Sequence, residues 1–365
     1  MENRIAVDVD VDRILLDPAR QYHQRSVATP MKILFDHSQP FLLAHGGFQT
    51  QIEQTKEALL SLGATVEWLR WWDDTQQGDL IHYFGAASGS YLLQARTKGL
   101  PTVMTNLFTA TCNRSDLRLR LQGAVVQTVL RAPVGGGLKR QLDWSSFALC
   151  DRNIVGLEAE RRVLDLVYGV PASRVAIVPL GLSERFLAAA PSKRTAEHLI
   201  CVGTITERKN SLELAHLARQ AQTPILFVGK PYSDTDPYWK AFAGTIDNQW
   251  VRYQPHVHGE DEMIALLQQA RGCVIKSRYE NWCLAAHEAA ACGLPVLLPS
   301  QNWSLERFGA AATYFPGTSD GDATVLREFY RQSAGLPAPG IQLYSWVDVG
   351  RLLLPVYEAV ASTSR

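Results

Sequence analysis

The sequence predicts an α/β protein made of two successive units, each a parallel sheet covered by helices. Three observations carry that prediction. From Met31 onward, short apolar runs alternate with helical patterns. The alternation pauses at the small, polar, proline-containing stretch "LAAAPSKRTAE" and then restarts. The chain also has 365 residues, more than one domain of roughly 100–200 residues usually holds.

Taken in order, the first thirty residues carry acids where a secretion signal needs a basic head and an apolar middle, so 1–30 is expected to be an N-terminal extension. The first unit, 31–187, reads as strands at "KILF", "TVEWL", "LIHYF", "PTVMT", "NIVG" and "RVAIVPLG". Helical patterns follow at "GGFQTQIEQTKEALLSLG" and "LEAERRVLDLVYG". The second unit, 188–340, repeats the scheme with "LICVG", "PILFVG", "WVRYQ", "GCVIKS", "PVLLP" and "ATYFP". Its helices are "NSLELAHLARQA", "EDEMIALLQQA" and "LAAHEAAACG". The last segment, 341–365, holds an amphipathic helix, "SWVDVGRLLLPVYEAVAS", in which Pro355 is expected to introduce a kink.

Composition narrows the function. Lys+Arg and Asp+Glu stand at 36 each, which argues against a nucleic-acid-binding surface. Six cysteines without a C-x-x-C pair, scattered through apolar segments, read as reduced thiols of a cytoplasmic protein and argue against zinc. The apolar runs fall short of the roughly 20 residues a membrane span needs.

Three constellations can carry chemistry. Gly46 and Gly47 sit between the first strand and its helix, where glycine lets backbone approach an anion at a helix N-terminus; the same pattern serves a plain turn. It lacks G-x-G-x-x-G, which disfavours a nicotinamide enzyme. In "LICVGTITERKNSLELAHLA" the second unit opens with Gly203 and Thr204, then Arg208 and Lys209 beside another helix start. Adjacent cations there suit a diphosphate, or a solvated basic turn.

The third is "YENWCLAAHEAAACGLPVL", residues 279–297, with Glu280 and Glu288 in otherwise apolar and small-residue surroundings. A wholly helical segment would set the two carboxylates about 12 Å apart along its axis. Two acceptors at that spacing can hold hydroxyls at either end of a long ligand, while the amides of Asn281, Trp282, Cys283 and Leu284 face phosphates between them. The alternative is a capping Glu280 and a solvated Glu288, but Ala285, Ala289, Ala290 and Cys292 leave little polar face for a surface helix.

The paired glutamates followed by "AAACGLPVL" resemble the signature of retaining glycosyltransferases of family 4, which have the GT-B fold. "VGTITERKN", "VPLGLSERF", "HGGFQTQ" and "YSWVDVGRLLLPVYEA" match further segments of that family in order, over about residues 31–362. The resemblance implies two Rossmann-like domains facing across a cleft, with the C-terminal helix crossing back to the first. It implies a donor that is a nucleotide-diphosphate sugar, no cofactor and no metal. Glu288 would bind the ribose, Glu280 a hydroxyl of the donor sugar, and Arg208 with Lys209 the departing diphosphate. Retention is expected by same-face attack, the leaving phosphate taking the acceptor's proton. A GT-B epimerase, a phosphorylase or a non-catalytic nucleotide-binding relative shares the same cleft.

Two departures from the family's pattern stand out. Thr204 occupies a position where many relatives have arginine, a role Arg208 is expected to fill. The histidine many relatives place after the fourth strand is absent from "VMTNLFTATCN", where Thr105 and Asn106 are its expected replacements; His45, His82 and His287 read as structural. The D-x-D spacing of "SDTD", residues 233–236, reads as a solvated turn. Finally, Arg114, Arg118, Arg120, Arg131, Lys139 and Arg140 face only Asp116 between residues 112 and 141. That basic stretch suits peripheral contact, through residues 114–140, with the inner face of an anionic membrane, or attraction of a lipid-linked acceptor; solvated surface charge is the alternative. The acceptor is expected to be a glycan or a lipid-linked glycan.

Overall fold

The computed structural model describes residues 31–41, 46–132, 143–190, 194–255, 257 and 259–363. The N-terminal extension, His45, the triple glycine at 135–137, Lys139 and Arg140 lie outside the described residues.

The first sheet comprises β1 (Lys32–His37), β2 (Thr65–Trp68), β3 (Leu80–Phe84), β4 (Thr102–Thr105), β5 (Arg152–Val155) and β6 (Val175–Ile177), in the order β2-β1-β3-β4-β5-β6. All its pairings are parallel. Helices α1 (Gly47–Ser61), α2 (Gly89–Thr97), α3 (Asp116–Arg131) and α4 (Glu158–Tyr168) connect them. β1, β3 and β4 are almost wholly buried, as expected of strands covered on both faces. In α4, Ala159, Val163, Leu164 and Val167 recur at helical spacing on the buried face, and Gly169 at φ +68° ends the helix in the left-handed region.

The second sheet runs β12-β11-β10-β7-β8-β9, again parallel throughout. Its strands are β7 (Leu199–Val202), β8 (Ile225–Val228), β9 (Val251–Gln254), β10 (Cys273–Val274), β11 (Val296–Pro299) and β12 (Thr313–Phe315). The helices are α5 (Ser211–Ala221), α6 (Pro237–Ala243), α7 (Glu260–Gln269), α8 (Leu284–Ala291), α9 (Asn302–Phe308) and α10 (Ser319–Gln332). "GCVIKS", expected as a full strand, contributes only two paired residues, because the chain leaves the sheet after Val274 to build the loop that carries Glu280.

Helix α11 (Trp346–Thr363) returns to the first sheet, as expected, and runs on through Pro355. Val349, Leu353, Tyr357 and Val360 bury one face against Ile33, Phe35, Ile52 and Leu59. Gly350 permits the close crossing, since a Cβ there would lie 2.8 Å from a methyl of Leu62. A buried polar chain locks it: the Tyr357 hydroxyl lies 2.7 Å from His82 Nδ1, and His82 Nε2 lies 2.7 Å from Thr105 Oγ1. The two halves also share apolar core, with Val163 and Leu164 in one cluster with Trp282, Ala286 and Trp303.

Candidate active site

The second sheet's strand ends approach one another through glycine. Gly203, after β7, has φ +152° and Gly229, after β8, has φ +149°. A Cβ on Gly229 would lie 2.0 Å from the Gly203 carbonyl oxygen, so a side chain there is sterically excluded. The loop that follows Gly203 ends at Asn210 in the left-handed region and delivers Arg208 and Lys209 to the loop after β10.

There, Lys209 Nζ lies 2.5 Å from Glu280 Oε1, and Arg208 Nη1 lies 3.0 Å from Glu280 Oε2. Glu280 is only 5% exposed. Burial pushes its carboxyl up, but Lys209 and Arg208 outweigh that and hold it below its ordinary range. Burial likewise opposes the charge on Lys209, and Glu280 restores it. Three charges are thus fixed at one strand edge, with one positive charge in excess.

Helix α8 begins four residues later. Cys283, its N-cap, adopts φ +61°, so the chain turns sharply and the segment from Glu280 to Glu288 is not one helix. Glu280 therefore lies in a loop and Glu288 on the helix, and the spacing that a wholly helical segment would give does not apply. The turn leaves the backbone amides of Asn281, Trp282, Cys283 and Leu284 without a hydrogen-bond acceptor among the described residues. Such donors at a helix start, with the helix dipole behind them, form an anion site. Gly46, at φ +133° and ψ −156°, starts α1 opposite them, and a Cβ on Gly47 would come within 3.6 Å of Leu284. The first unit's glycine loop therefore meets the first residue of α8.

Glu288 lies one turn into α8, half-buried, on the wall of a cavity of about 50 Å³ shared with Thr50, Gln54, Ser183, Glu260 and Leu284. Burial, reinforced by the like charge of Glu260, pushes its carboxyl up to about 7. Beside it the chain passes between the two sheets twice: Leu182 donates its amide to Tyr344 at 2.8 Å and forms a bridge with Ser345.

Three kinds of comparison bear on this arrangement. Residues 196–306, which hold Arg208, Lys209, Glu280 and Glu288, match the model of a family described as Glycosyl transferases group 1. O-antigen chain mannosyltransferase B of Escherichia coli is 24% identical over 147 residues, covering 36% of this chain and 38% of that protein; the match thus spans well under half of that relative's length. Among solved structures, a glycosyltransferase from Rickettsia africae superposes with a TM-score of 0.62 at 11% identity, covering 91% of this chain and 99% of that one. AviGT4, involved in avilamycin A biosynthesis, gives 0.58 at 17%, covering 92% and 99%. WaaG, involved in lipopolysaccharide biosynthesis, gives 0.57 at 13%, covering 91% and 98%. The fold is GT-B.

Within the GT-B cleft, the expected residues fall into two groups. Arg208, Lys209, Glu280, Gly46, Gly47 and the amides before α8 converge, and Gly203 and Thr204 share a small cavity with Lys209. Several side chains do not join them. Asn281 Nδ2 reaches across to Glu160 Oε1 at 3.2 Å. Trp282 is buried, stacked on His287 at 4.8 Å and covered by the Arg307 guanidinium at 4.5 Å. The Trp282 side chain is thus packed away, and the Asn281 side-chain amide nitrogen is engaged by Glu160.

Thr105 and Asn106, expected to stand in for the missing histidine, are interior: Thr105 bonds His82, and Asn106 Nδ2 donates to Asn153 Oδ1 at 2.9 Å. Polar residues at the buried end of β4 serve the packing between strands, which corrects that expectation. His82 and His287 are structural as expected, both buried and held neutral by burial, at about 3. Asp236 caps α6 by accepting from the Tyr238 amide at 2.9 Å, which accounts for the "SDTD" turn.

The sequence reading missed Lys276, which pairs with Asp322 at 2.6 Å and shares the cavity of Gly203 and Lys209. Its signal was a cation directly after an apolar strand. Glu160 was missed as well. Its buried carboxylate accepts from the amides of Phe108 and Gly156, each at 2.9 Å, and from Asn281, and burial pushes it up to about 7. It ties the first unit to the Glu280 loop.

Proposed function

We propose that this chain is a retaining glycosyltransferase that moves a hexose from a nucleotide-diphosphate sugar to a glycan or lipid-linked acceptor without a metal. One observation carries the reading: Glu280 is buried between Arg208 and Lys209, directly before a helix start with free amides. A diphosphate bound at those amides draws on the same two cations, and Glu280 keeps them aimed while no donor is present. When the diphosphate shares them, a Glu280 oxygen is released to accept a hydroxyl of the donor sugar. Glu288, one turn into α8, accepts the ribose hydroxyls.

In the reaction, the bond from the anomeric carbon to the phosphate oxygen breaks as the acceptor oxygen bonds to the same face. The acceptor's proton passes to the leaving phosphate oxygen. No protein base is needed, and Arg208 and Lys209 supply the charge neutralisation for which a divalent ion would otherwise serve. Transfer that persists in EDTA supports this reading; abolition by EDTA overturns the metal-free step.

The reading extends to location, a cytoplasmic enzyme resting on the inner face of a membrane through α3. Leu117, Leu121 and Val125 are 69%, 63% and 61% exposed along one face of that helix, flanked by exposed Arg114, Arg118 and Arg120. Among the described residues, no helix is long and apolar enough to cross a membrane.

A further inference from the structure

At the carboxyl edge of the first sheet, the loop after β2 carries two neighbouring indoles into solvent, Trp71 at 74% and Trp72 at 83% exposed. Two such side chains side by side are unusual on a surface whose remaining large apolar groups are mostly aliphatic. They do not sit on a slack loop. The Arg70 amide donates to Gln76 Oε1 at 2.8 Å, Arg70 Nε to Asp73 Oδ2 at 2.9 Å, and Gln76 Nε2 to the Trp68 carbonyl at 3.0 Å. The tip bearing the two indoles is braced from both sides.

Its position matters. Strand order reverses between β1 and β3, the switch point where open parallel sheets bind ligands. Across that point Tyr91, on α2, donates its hydroxyl to Asp36 Oδ2, at the end of β1, at 2.8 Å. The Trp71 ring neighbours Tyr91, tilted by 48° with ring centroids 6.2 Å apart. The same edge carries the Gly46–Gly47 loop that meets α8.

We propose that Trp71 and Trp72, with Asp74 and the Asp36–Tyr91 pair, form an acceptor subsite for a neutral pyranose of a glycan. This rests on the glycosyltransferase reading. A pyranose ring offers one face of C–H bonds to an indole and a rim of hydroxyls to carboxylates, and both partners are present here. The charges favour a neutral sugar over an anionic bilayer. Asp73 and Asp74 lie in the loop, Glu67 in the strand before it and the buried Asp36 beneath Tyr91, while Arg70 is spent on Glu67 and Asp73 at 3.1 and 2.8 Å and Lys32 on Glu67 at 2.7 Å. The apolar face of α3, framed by arginines, has the opposite character.

The test is binding of the full chain to immobilised mannosyl, glucosyl, galactosyl, rhamnosyl and N-acetylglucosaminyl oligosaccharides, beside vesicles of phosphatidylglycerol and phosphatidylcholine. The wild type is expected to bind at least one glycan, the W71A/W72A variant about tenfold or more weaker, and W71F/W72F close to the wild type. Thermal shifts with nucleotide sugars stay unchanged in both variants, which separates this subsite from the donor site and reports folding. Absence of glycan binding by the wild type, equal binding by W71A/W72A, or a loss confined to vesicles overturns the proposal. A missing nucleotide-sugar shift in the wild type would instead sink the donor assignment and leave the glycan result readable.

Discussion

The carboxyl edges of the two sheets present different residues, and in the proposed reading they meet different recognition problems. On the second sheet, Arg208 and Lys209 are half-buried and paired with the buried Glu280 through short contacts, and Glu288 lies half-buried on a cavity wall. On the first, the strand ends offer Gly46 and Gly47, exposed indoles, and carboxylates on a braced surface loop. A diphosphate is a fixed, highly charged target, and binding it requires full charges held out of water. A neutral sugar is bound by stacking and hydroxyl contacts, which cost little to expose. The proposed reading places the electrostatics on one side of the cleft and the shape selection on the other.

The largest way to break that contrast is Glu280→Ala. It leaves Lys209 in its half-buried position with no counter-ion from the loop, so folding stability is expected to fall by about 1–3 kcal/mol in urea titrations. Transfer is expected to fall about 10²- to 10³-fold, the scale of losing one electrostatic element from a transition state. Wild-type stability and turnover in this variant would show that the triad is incidental.

Gly46→Ala probes the other edge. Its φ and ψ lie in a region open essentially only to glycine, although no atom of the described residues lies within 4 Å of a Cβ placed there. The melting midpoint should drop by the equivalent of about 1–3 kcal/mol from backbone strain alone. An unchanged midpoint would mean that the loop relaxes at no cost.

A smaller effect sharpens the electrostatic half. Burial raises the carboxyls of Glu160 and Glu288 to about 7, above the ordinary 4.5. The folded state therefore keeps protons that the unfolded chain releases; this stabilisation is complete below about 4.5 and lost as pH rises through about 7. His82 and His287, held neutral, act in the opposite direction below 6.5. The clean readout is differential: Glu160→Gln and Glu288→Gln should gain melting temperature relative to the wild type between pH 6 and pH 8. A constant difference across that range would refute the raised values.

The smallest stability effect belongs to Leu117→Glu. At an exposed site it should shift stability by no more than about 0.5 kcal/mol, while binding to phosphatidylglycerol vesicles in a sedimentation assay is lost. Retained vesicle binding would remove α3 from the membrane contact.

The contrast between the two edges also explains what the sequence could reveal. Buried parallel strands are apolar runs between helical patterns, so the twelve strands of the two sheets were legible as alternation. Glu280 and Glu288 were legible because a charge in an apolar segment is conspicuous. Features that depend on distant partners were not. Thr105 looks available in sequence, but His82, itself bonded to Tyr357 275 positions further along the chain, takes its hydroxyl. The left-handed Cys283, which breaks the helical path between the two glutamates, carries no local glycine signal. The Trp71–Trp72 platform gains meaning only when the end of β1 and the helix after β3 are brought beside it.

The central claim is that two glutamates on either side of the start of α8 grip a nucleotide sugar from its two ends. Calorimetric titration with UDP-, GDP-, ADP- and dTDP-sugars tests it most directly, using the wild type, Glu288→Ala and Glu280→Ala. One nucleotide class should bind the wild type, and Glu288→Ala should weaken it about 10- to 100-fold, the worth of hydrogen bonds to a charged carboxylate. Glu280→Ala should retain most nucleotide affinity while losing transfer. No binding by the wild type to any of the four, or wild-type affinity in Glu288→Ala, would contradict the account.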